Sequence, residues 1–343
     1  MKRHLNTLYV TTQGCYLAKE GEAVIVRLEA LVVMRVPIHT LDGIVCFGQV
    51  GFSPFLLGLC GERGVAVSFL SERGRFLARI QGPVSGNVLL RREQYRRADD
   101  PAASAALARS VIAGKVANSR TVILRALRDR PESAGAERLK AAAAQLAQHL
   151  AALKEGVPLD ALRGIEGTAA RVYFDVFDDL ITQQKEGFSF RERSRRPPRD
   201  NVNALLSFLY TLLRHDFEAA LESVGLDPAV GFLHRDRPGR ASLALDLMEE
   251  LRAFLADRLA LSLVNLQQIR ADGFRSDESG GVVMDDATRK TVLVAYQKRK
   301  QEEIVHPFLG DKTTVGLLPH LQAALLARHL RGDLDGYPPF LWK

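Results

Sequence analysis

The sequence has little cysteine and no long apolar run, and each absence excludes a class of protein. Its 343 residues include three cysteines, Cys15, Cys46 and Cys60, with no CxxC pair. An odd number of widely spaced cysteines argues against a disulfide framework and against a zinc cluster. Charge interrupts every apolar stretch of membrane-spanning length, and the first ten residues lack the apolar run of a signal peptide. We therefore expect a cytoplasmic protein without a membrane partner.

Composition favours a globular protein that binds a polyanion. Hydrophobic residues make up 47% of the chain and the mean hydropathy is −0.04, so a normal core can form. Lysine and arginine total 47 against 40 acids, which gives a net charge of +7 and a pI near 9.4. This excess favours a polyanionic partner such as nucleic acid. The length favours two domains.

The first 90 residues are predicted to be a β-rich module without catalytic residues of its own. β-Branched runs bounded by glycine and proline indicate strands, and Ser53 followed by Pro54 predicts the start of a short helix. No GxGxxG pattern, Walker pattern or nucleophile–base pair occurs in this region. Such a module more often serves as an interaction surface. The predicted strands are Leu5–Thr11, Ala23–Leu28, Leu31–Val36, Gly43–Gly48 and Val65–Leu70.

From residue 102 onward the apolar residues recur at helical spacing. We expect an α+β multidomain protein: a small β-rich amino-terminal domain (1–90), a basic linker or helix start (91–101) and a larger all-α carboxy-terminal domain (102–343). The predicted helices begin at Ala102 and then span Ser133–Leu153, Leu159–Gln183, Val202–Glu222, Ser242–Ile269, Asp285–Glu303 and Thr314–Leu330.

A candidate metal site lies in the stretch GFLHRDRPGRASLALDLMEELR, residues 231–252. His234 stands in a basic loop, and Ser242 is predicted to cap the helix that follows. Asp246 and Glu249 fall one turn apart on one side of that helix. A histidine nitrogen and carboxylate oxygens suit Mg²⁺ or Mn²⁺. On spacing alone, three acids on a surface helix are more often a solvated face, and a lone histidine in a loop is usually not a metal ligand.

Two further stretches carry candidate functional residues. In GIEGTAARVYF, residues 164–174, small residues surround Glu166 and allow a substrate to approach it; the alternative is an acid favoured by the helix dipole. The stretch RERSRRPPR, residues 191–199, is rich in arginine, which suits bidentate contacts to phosphate. The candidate DNA-binding residues are Arg193, Arg195, Arg196, Arg199, Arg235, Arg237 and Arg240.

Taken together, the order and spacing of several motifs resemble the CRISPR-associated integrase-endonucleases that acquire new spacers, the Cas1 family, and most closely the form found with type I-C systems. The motifs are the β-rich first third, KVANSR (115–120), GIEGTAARVYF, RRPPRDNVNALLSFLY (195–210), the His234 stretch, VNLQQI (264–269) and RKTVLVAYQKRK (289–300).

The resemblance implies a metal-dependent enzyme with catalytic residues Glu166, His234, Asp246 and Glu249. Glu166, His234 and Glu249 are the expected ligands of Mg²⁺ or Mn²⁺, with Asp246 beside them and Glu250 a surface acid. It implies that the 3′-hydroxyl of a short captured duplex attacks each strand at the CRISPR repeat. The implied partners are double-stranded DNA (prespacer and repeat), a second copy bound through the β-rich domain, and the small Cas2 protein.

Two alternatives use the same residues differently. A general metal-dependent nuclease of branched DNA repair intermediates would use water as the nucleophile. A non-catalytic DNA-binding scaffold would need no metal. The tail, Thr313–Lys343, is expected to lie outside the catalytic centre, because the spacing of His306, His320 and His329 matches no zinc pattern.

Overall fold

The computed structural model describes residues 6–72, 76–80, 88–278 and 280–342. The chain forms two compact units. The first comprises Met1–Ser85, Met284–Glu302 and Val315–Leu317, and the second comprises Gly86–Val283, Glu303–Thr314 and Leu318–Lys343. The described helices include none with the length and hydrophobicity needed to cross a lipid bilayer.

Strands dominate the chain up to Ile80, and helices dominate it from Val88 onward. The strands are β1 (Asn6–Val10), β2 (Cys15–Glu20), β3 (Ala23–Leu28), β4 (Leu31–Pro37), β5 (Leu41–Phe47), β6 (Gly51–Phe52), β7 (Ala66–Leu70), β8 (Phe76–Ile80), β9 (Phe274–Ser276), β10 (Val282–Met284), β11 (Glu303–Val305) and β12 (Lys312–Thr314). The helices are α1 (Pro54–Arg63), α2 (Val88–Asp99), α3 (Pro101–Asp129), α4 (Ala136–Ala152), α5 (Leu159–Asp175), α6 (Asn201–Ser223), α7 (Ser242–Leu251), α8 (Arg258–Asn265), α9 (Asp286–Gln301) and α10 (Leu318–Leu330).

The first unit contains two four-stranded sheets, in the orders β1-β5-β7-β8 and β4-β3-β2-β6. In the first sheet β1 and β7 run parallel to β5, with Leu8 opposite Ile44 and Ile44 opposite Val67. In the second, β3 pairs antiparallel with both β2 and β4. Side chains from both sheets and from α1 form one buried apolar cluster, which includes all three cysteines. The cysteines are reduced core residues.

The predicted strands are confirmed where they can be compared, except that Leu5 lies outside the described residues. Ser53 caps α1 as predicted, its Oγ accepting a hydrogen bond from the amide of Leu56 at 3.2 Å. The sequence pattern missed β2, β6 and β8. Strand β2 ends in the charged, exposed Lys19 and Glu20, and β6 has two residues, so neither shows a clear period of two.

The boundary between the two units differs from the predicted one. Helix α9, expected in the helical domain, packs with the strand-rich unit, where Val292 and Tyr296 are fully buried and the helix contacts β1. The expected linker, 91–101, is mostly helix α2. Its Gln94 is buried, and its amide nitrogen donates to the carbonyls of Asp227 and Val230, each at 2.8 Å. Those bonds anchor the segment as part of the second unit.

The second unit is helical but not entirely so, which corrects the all-α prediction. Two small two-stranded sheets, β9 with β10 and β11 with β12, accompany the helices. The helix predicted over Ser242–Ile269 is interrupted by a π-helical turn at Arg252–Asp257 and ends at Asn265. Ser242 is not the cap: it is the first helical residue, and its hydroxyl donates to the carbonyl of Arg235 at 3.3 Å.

Candidate active site

Three packed helices and one loop of the second unit carry the predicted site. Helix α3 packs against both α5 and α7. Asp100 caps α3, its carboxylate accepting from the amide of Ala102 at 2.9 Å, and Pro101 occupies the first turn. Glu166 lies midway along α5, and Asp246 and Glu249 lie on α7. His234 lies in the loop before α7.

Asp246 holds the loop that carries His234. One carboxylate oxygen accepts from the amides of Phe232 and Leu233, at 2.6 and 2.9 Å. The other accepts from the amide of His234 at 3.0 Å and lies 2.6 Å from the Nδ1 atom of its ring. A carboxylate at Nδ1 favours the tautomer with the proton there, which leaves the lone pair of Nε2 available. Asp246 therefore orients the histidine and has little capacity left to bind a metal itself.

Glu166 and Glu249 converge on one buried cation, the ammonium group of Lys115. Oε1 of Glu166 forms a short ion pair with Nζ of Lys115. Oε2 of Glu249 lies 2.7 Å from the same nitrogen, and Oε1 of Glu249 lies 2.7 Å from a guanidinium nitrogen of Arg252. The side chain of Glu249 is 3% exposed and that of Lys115 is 11% exposed. Two carboxylates from different helices thus share one point of positive charge.

Glu249 is kept ionised by this surrounding charge. Burial by itself raises the pKa of a carboxyl group, but the positive charges of Arg252 and Lys115, with a smaller contribution from His234, lower the pKa of Glu249 to about 2. Asp246, which holds the ring of His234, lies one helical turn before Glu249 on α7. At neutral pH the site therefore presents an ionised glutamate close to a histidine.

The donors present fit a divalent cation. Oε2 of Glu249 is buried, and although it lies at ion-pair distance from Lys115 it makes no hydrogen bond of proper geometry. Nε2 of His234 has no hydrogen-bond partner among the described residues. Carboxylate oxygens with one imidazole suit Mg²⁺ or Mn²⁺. Within the described ranges, however, no three His, Cys, Asp or Glu side chains stand together around one point, since Lys115 separates Glu166 from Glu249.

A match to a family model over most of the chain shows which family the chain belongs to. Residues 8–298 match the model of the family described as CRISPR associated protein Cas1.

The chain belongs to the Cas1 family.

Relatives over the whole length support the assignment. The chain is 58% identical over 343 residues to a CRISPR-associated endonuclease Cas1 of Chlorobaculum tepidum, covering 100% of both chains. It is 54% identical over 347 residues to a Cas1 endonuclease of Rhodospirillum rubrum, again covering 100% of both. Membership at this identity makes the chain a nuclease or integrase enzyme of CRISPR adaptation.

Solved structures share the fold. A CAS1 protein from Thermotoga maritima has a TM-score of 0.81 at 23% identity, covering 96% of this chain and 97% of that one. A casposase bound to integration product has a TM-score of 0.83 at 24% identity, covering 99% and 95%. A Cas6-RT-Cas1–Cas2 complex has a TM-score of 0.82 at 22% identity, covering 100% of this chain and 36% of that one. The mixed α+β architecture is thus that of Cas1 proteins.

The predicted DNA-binding arginines differ in their surroundings. Arg193 is half-buried: its guanidinium donates to Asn203 Oδ1 at 2.6 Å and to Ser207 Oγ at 3.1 Å, so it ties its loop to α6. Arg195, Arg196, Arg199, Arg235 and Arg237 are exposed. Burial and the charge of Arg237 lower the pKa of half-buried Arg240, and Arg196 and Arg195 act in the same direction. The charges of Arg195 and Arg196 in one basic loop therefore act on Arg240 in the other.

Sequence patterns did not single out several residues around the site. Helical spacing puts Lys115 on an ordinary polar face, although the residue stands in the KVANSR motif. Asp257 was missed as well: it accepts hydrogen bonds from the hydroxyls of Tyr210 and Tyr173, at 2.6 and 3.1 Å. Asp257 and the two tyrosines line a cavity of about 440 Å³, together with Lys115 and Arg252 of the site. A lysine buried between acids cannot be recognised from helical spacing alone.

Glu250 is fully buried, so its prediction as a surface acid is wrong. Its carboxylate accepts from Tyr337 Oη and the amide of Phe340, each at 2.7 Å, and from Gln322 Nε2 at 2.8 Å. Burial, which those hydrogen bonds only partly offset, raises its pKa to about 8. The tail thus docks one residue away from Glu249. His306 is likewise structural, with Nε2 3.0 Å from Gln322 Oε1.

Proposed function

We propose that this Cas1 protein is a divalent-metal-dependent DNA strand transferase that inserts short duplex prespacers into the CRISPR repeat array by 3′-hydroxyl attack. We also propose that it serves a type I-C system, on the motif resemblance described above. The observation that carries the proposal is the convergence of Glu166 and Glu249 on one cation, with Glu249 one helical turn from the Asp246 that orients His234. The casposase that shares the fold is described as bound to its integration product.

Glu166, His234 and Glu249 would hold Mg²⁺ or Mn²⁺. When bound, such an ion supplies positive charge that lowers the pKa of an attacking hydroxyl and stabilises the leaving 3′-oxygen. This protein's own residues prepare the site. Asp246 fixes the histidine tautomer, and Arg252 keeps Glu249 ionised. Lys115, released from between the carboxylates, can then compensate the charge of a phosphate.

The proposed reaction exchanges one phosphodiester bond for another. The 3′-oxygen of the captured duplex bonds to phosphorus in the repeat strand, and the bond from that phosphorus to its own 3′-oxygen breaks. The attacking hydroxyl loses a proton and the leaving 3′-oxygen gains one, so no oxidant or external energy source is needed. The residues orient and neutralise charge, while the DNA supplies both nucleophile and leaving group.

The proposed partners follow from exposed surfaces and from the family. Arg195, Arg196, Arg235 and Arg237 would contact duplex DNA along its phosphates. A second copy would pair through the first unit, where β4 is the edge of its sheet. On that strand Leu31, Val32, Val33 and Met34 are 73%, 49%, 54% and 48% exposed, an uncovered apolar row. Cas2 is proposed as the further partner, since one neighbour with this fold is a Cas1–Cas2 complex.

A joining assay tests the proposal. A labelled duplex with free 3′-hydroxyl ends is incubated with a repeat-bearing plasmid, purified protein, Cas2 and Mn²⁺. We expect label covalently joined to the plasmid, none with EDTA, and none with a 3′-deoxy duplex. Nicked plasmid without joined label, at equal rates with the deoxy duplex, would instead indicate a nuclease that uses water.

A further inference from the structure

We propose that three residues of the carboxy-terminal segment 337–342, namely Tyr337, Phe340 and Trp342, position the active site, and that they act through the buried Glu250. The inference rests on the proposed function, in which the neighbouring Glu249 is a metal ligand. It concerns a part of the chain that supplies no side chain to the contacts among Glu166, Lys115 and Glu249.

The segment binds Glu250 with groups that match a buried carboxyl. Tyr337 Oη and the amide of Phe340 occupy different oxygens of Glu250, each at 2.7 Å. Gln322 of α10 bridges them: the two hydrogens of its Nε2 are shared among Glu250 at 2.8 Å, Tyr337 Oη at 2.7 Å and the carbonyl of Pro338 at 3.2 Å. Leaving any of these groups unpaired in the core costs free energy.

Asn118 ties the same segment to α3. Its Nδ2 donates to the carbonyl of Glu250 at 2.6 Å and to that of Phe340 at 2.8 Å, and its Oδ1 accepts from the amide of Trp342 at 2.8 Å. Asn118 follows Lys115 by three residues, and so lies one helical turn beyond it. One buried side chain therefore joins α3, α7 and the tail at the level of the site.

Trp342, the last aromatic residue of the chain, also packs the tail against the helices near the site. Two guanidinium groups contact the ring of Trp342, that of Arg125 at 3.9 Å and that of Arg258 at 4.3 Å from its centroid. It also packs edge-on against Phe254, with ring centroids 5.2 Å apart. Arg258 begins α8 and Phe254 lies in the π-helical turn, so Trp342 contacts the helix just beyond Glu249.

The arrangement fixes the rotation of α7. Glu249 and Glu250 are adjacent, so their side chains are separated by about 100° around the helix. One faces Lys115 and Arg252, and the other faces the tail. The π-helical turn begins at Arg252, and a turn of this kind can shift the register of a helix by one residue. Binding of Glu250 by the tail selects the register that directs Glu249 into the site.

The test uses the full-length protein with Tyr337→Phe, Trp342→Ala and, as a matched control on the same segment, Leu341→Ala, whose side chain is 41% exposed. We expect Tyr337→Phe and Trp342→Ala to weaken Mn²⁺ binding about 10-fold by calorimetry. The kcat for joining should fall by a similar factor, while the KM for duplex DNA changes less than about twofold. Leu341→Ala should match wild type. If Trp342→Ala does not fold, Tyr337→Phe decides.

The outcomes separate the two proposals. If wild type binds Mn²⁺ and joins DNA, and Tyr337→Phe does both equally well, the positioning role is wrong and the proposed function stands. A Tyr337→Phe protein that is less stable, yet has unchanged Mn²⁺ affinity and kcat when folded, also refutes the role, because the tail is then only structural. If wild type neither binds Mn²⁺ nor joins DNA, both proposals fail.

Discussion

Lys115 gives the site its charge balance, because its ammonium group stands where two acidic side chains from different helices meet. Glu166 and Glu249 would repel each other across this gap without a cation between them. The same position is where the proposed divalent ion would bind, so the lysine and the metal would serve the same electrostatic role in turn.

Replacing Lys115 should therefore destabilise the protein only when metal is absent. Breaking a buried ion pair by removing one partner costs about 3–5 kcal/mol. We expect Lys115→Ala to lower the unfolding midpoint in EDTA and saturating Mn²⁺ to restore most of the loss. Lys140→Ala is the control: Lys140 pairs with Glu137 on the surface at 2.7 Å, and such a pair contributes about 0–1 kcal/mol. Equal midpoints for Lys115→Ala with and without Mn²⁺ would contradict the idea.

Asp257 should make stability depend on pH in the opposite sense to most acids. Burial raises its pKa from 3.8 to about 6 despite the hydroxyls of Tyr210 and Tyr173 and the charge of Arg252. Between these values the folded chain retains a proton that the unfolded chain has lost, so stability falls as pH rises from 4 to 6 and levels off above. A shift of about two pKa units corresponds to about 3 kcal/mol.

Urea unfolding of wild type and Asp257→Asn at pH 4.5 and 7.5 isolates this contribution. The variant should gain about 2 kcal/mol on wild type between the two pH values, because the amide never ionises and part of the total effect is already present at pH 4.5. If the unfolding free energies of wild type and Asp257→Asn differ by the same amount at both pH values, the carboxyl group of Asp257 keeps an ordinary pKa in the fold.

At the residue scale, the sequence predicted which residues to consider for the site better than it predicted what surrounds each of them. Glu166, His234, Asp246 and Glu249 all fall on helices or loops of one unit, as the motifs indicated. Glu250 was misplaced because helical spacing assigns each residue a face of its own helix but not what covers that face. A segment 87 residues further along the chain covers it.

At the element scale, the long helices were predictable and their interruptions were not. Apolar spacing placed α3, α6 and α9 to within a few residues. The π-helical turn inside the predicted Ser242–Ile269 helix leaves no mark in that spacing, because buried residues continue through it. The missed strand β2 is stabilised by pairing with β3 and β6, which its own sequence does not encode.

The loop before α7 approaches that helix so closely at Gly231 that the position has no room for a side chain. A Cβ atom on Gly231 would lie 2.8 Å from Asp246 Oδ2 and 2.8 Å from the backbone carbon of Ser242. We expect Gly231→Ala to cost about 1–3 kcal/mol and to reduce joining, because Asp246 and His234 shift together. Gly164→Ala on α5 is the control, since nothing lies within 4 Å of its Cβ. Thermal midpoints and joining rates of both variants check this, and equal behaviour would refute it.

At the scale of the whole molecule, the sequence predicted a strand-rich part and a helical part, but not which helices and strands belong to each part. Helix α9 has the spacing of any amphipathic helix, and only tertiary packing assigns it to the first unit. The basic surface was predictable in composition, yet Arg193 proved to be a structural side chain, because a run of arginines does not reveal which of them finds a partner.

The exposed arginines should govern DNA affinity without affecting chemistry. Each phosphate contact adds about 0.9 to the magnitude of the slope of log affinity against log salt concentration. We expect the triple variant Arg195→Ala, Arg196→Ala, Arg237→Ala to reduce that slope by about 2–3 in duplex binding. Arg128→Ala, 68% exposed on α3, is the control and should change it little. If the triple variant has an unchanged slope, DNA binds to a different surface of the protein.

Glu166, His234 and Glu249 are proposed to bind one divalent ion, and anomalous diffraction from a crystal soaked in Mn²⁺ tests this most directly. We predict one peak about 2.0–2.2 Å from a carboxylate oxygen of Glu166, one of Glu249 and Nε2 of His234, with the ammonium of Lys115 displaced from between the acids. A peak at His306, His320 or His329 instead, or Lys115 still between the two glutamates in a crystal that binds Mn²⁺ elsewhere, would contradict it.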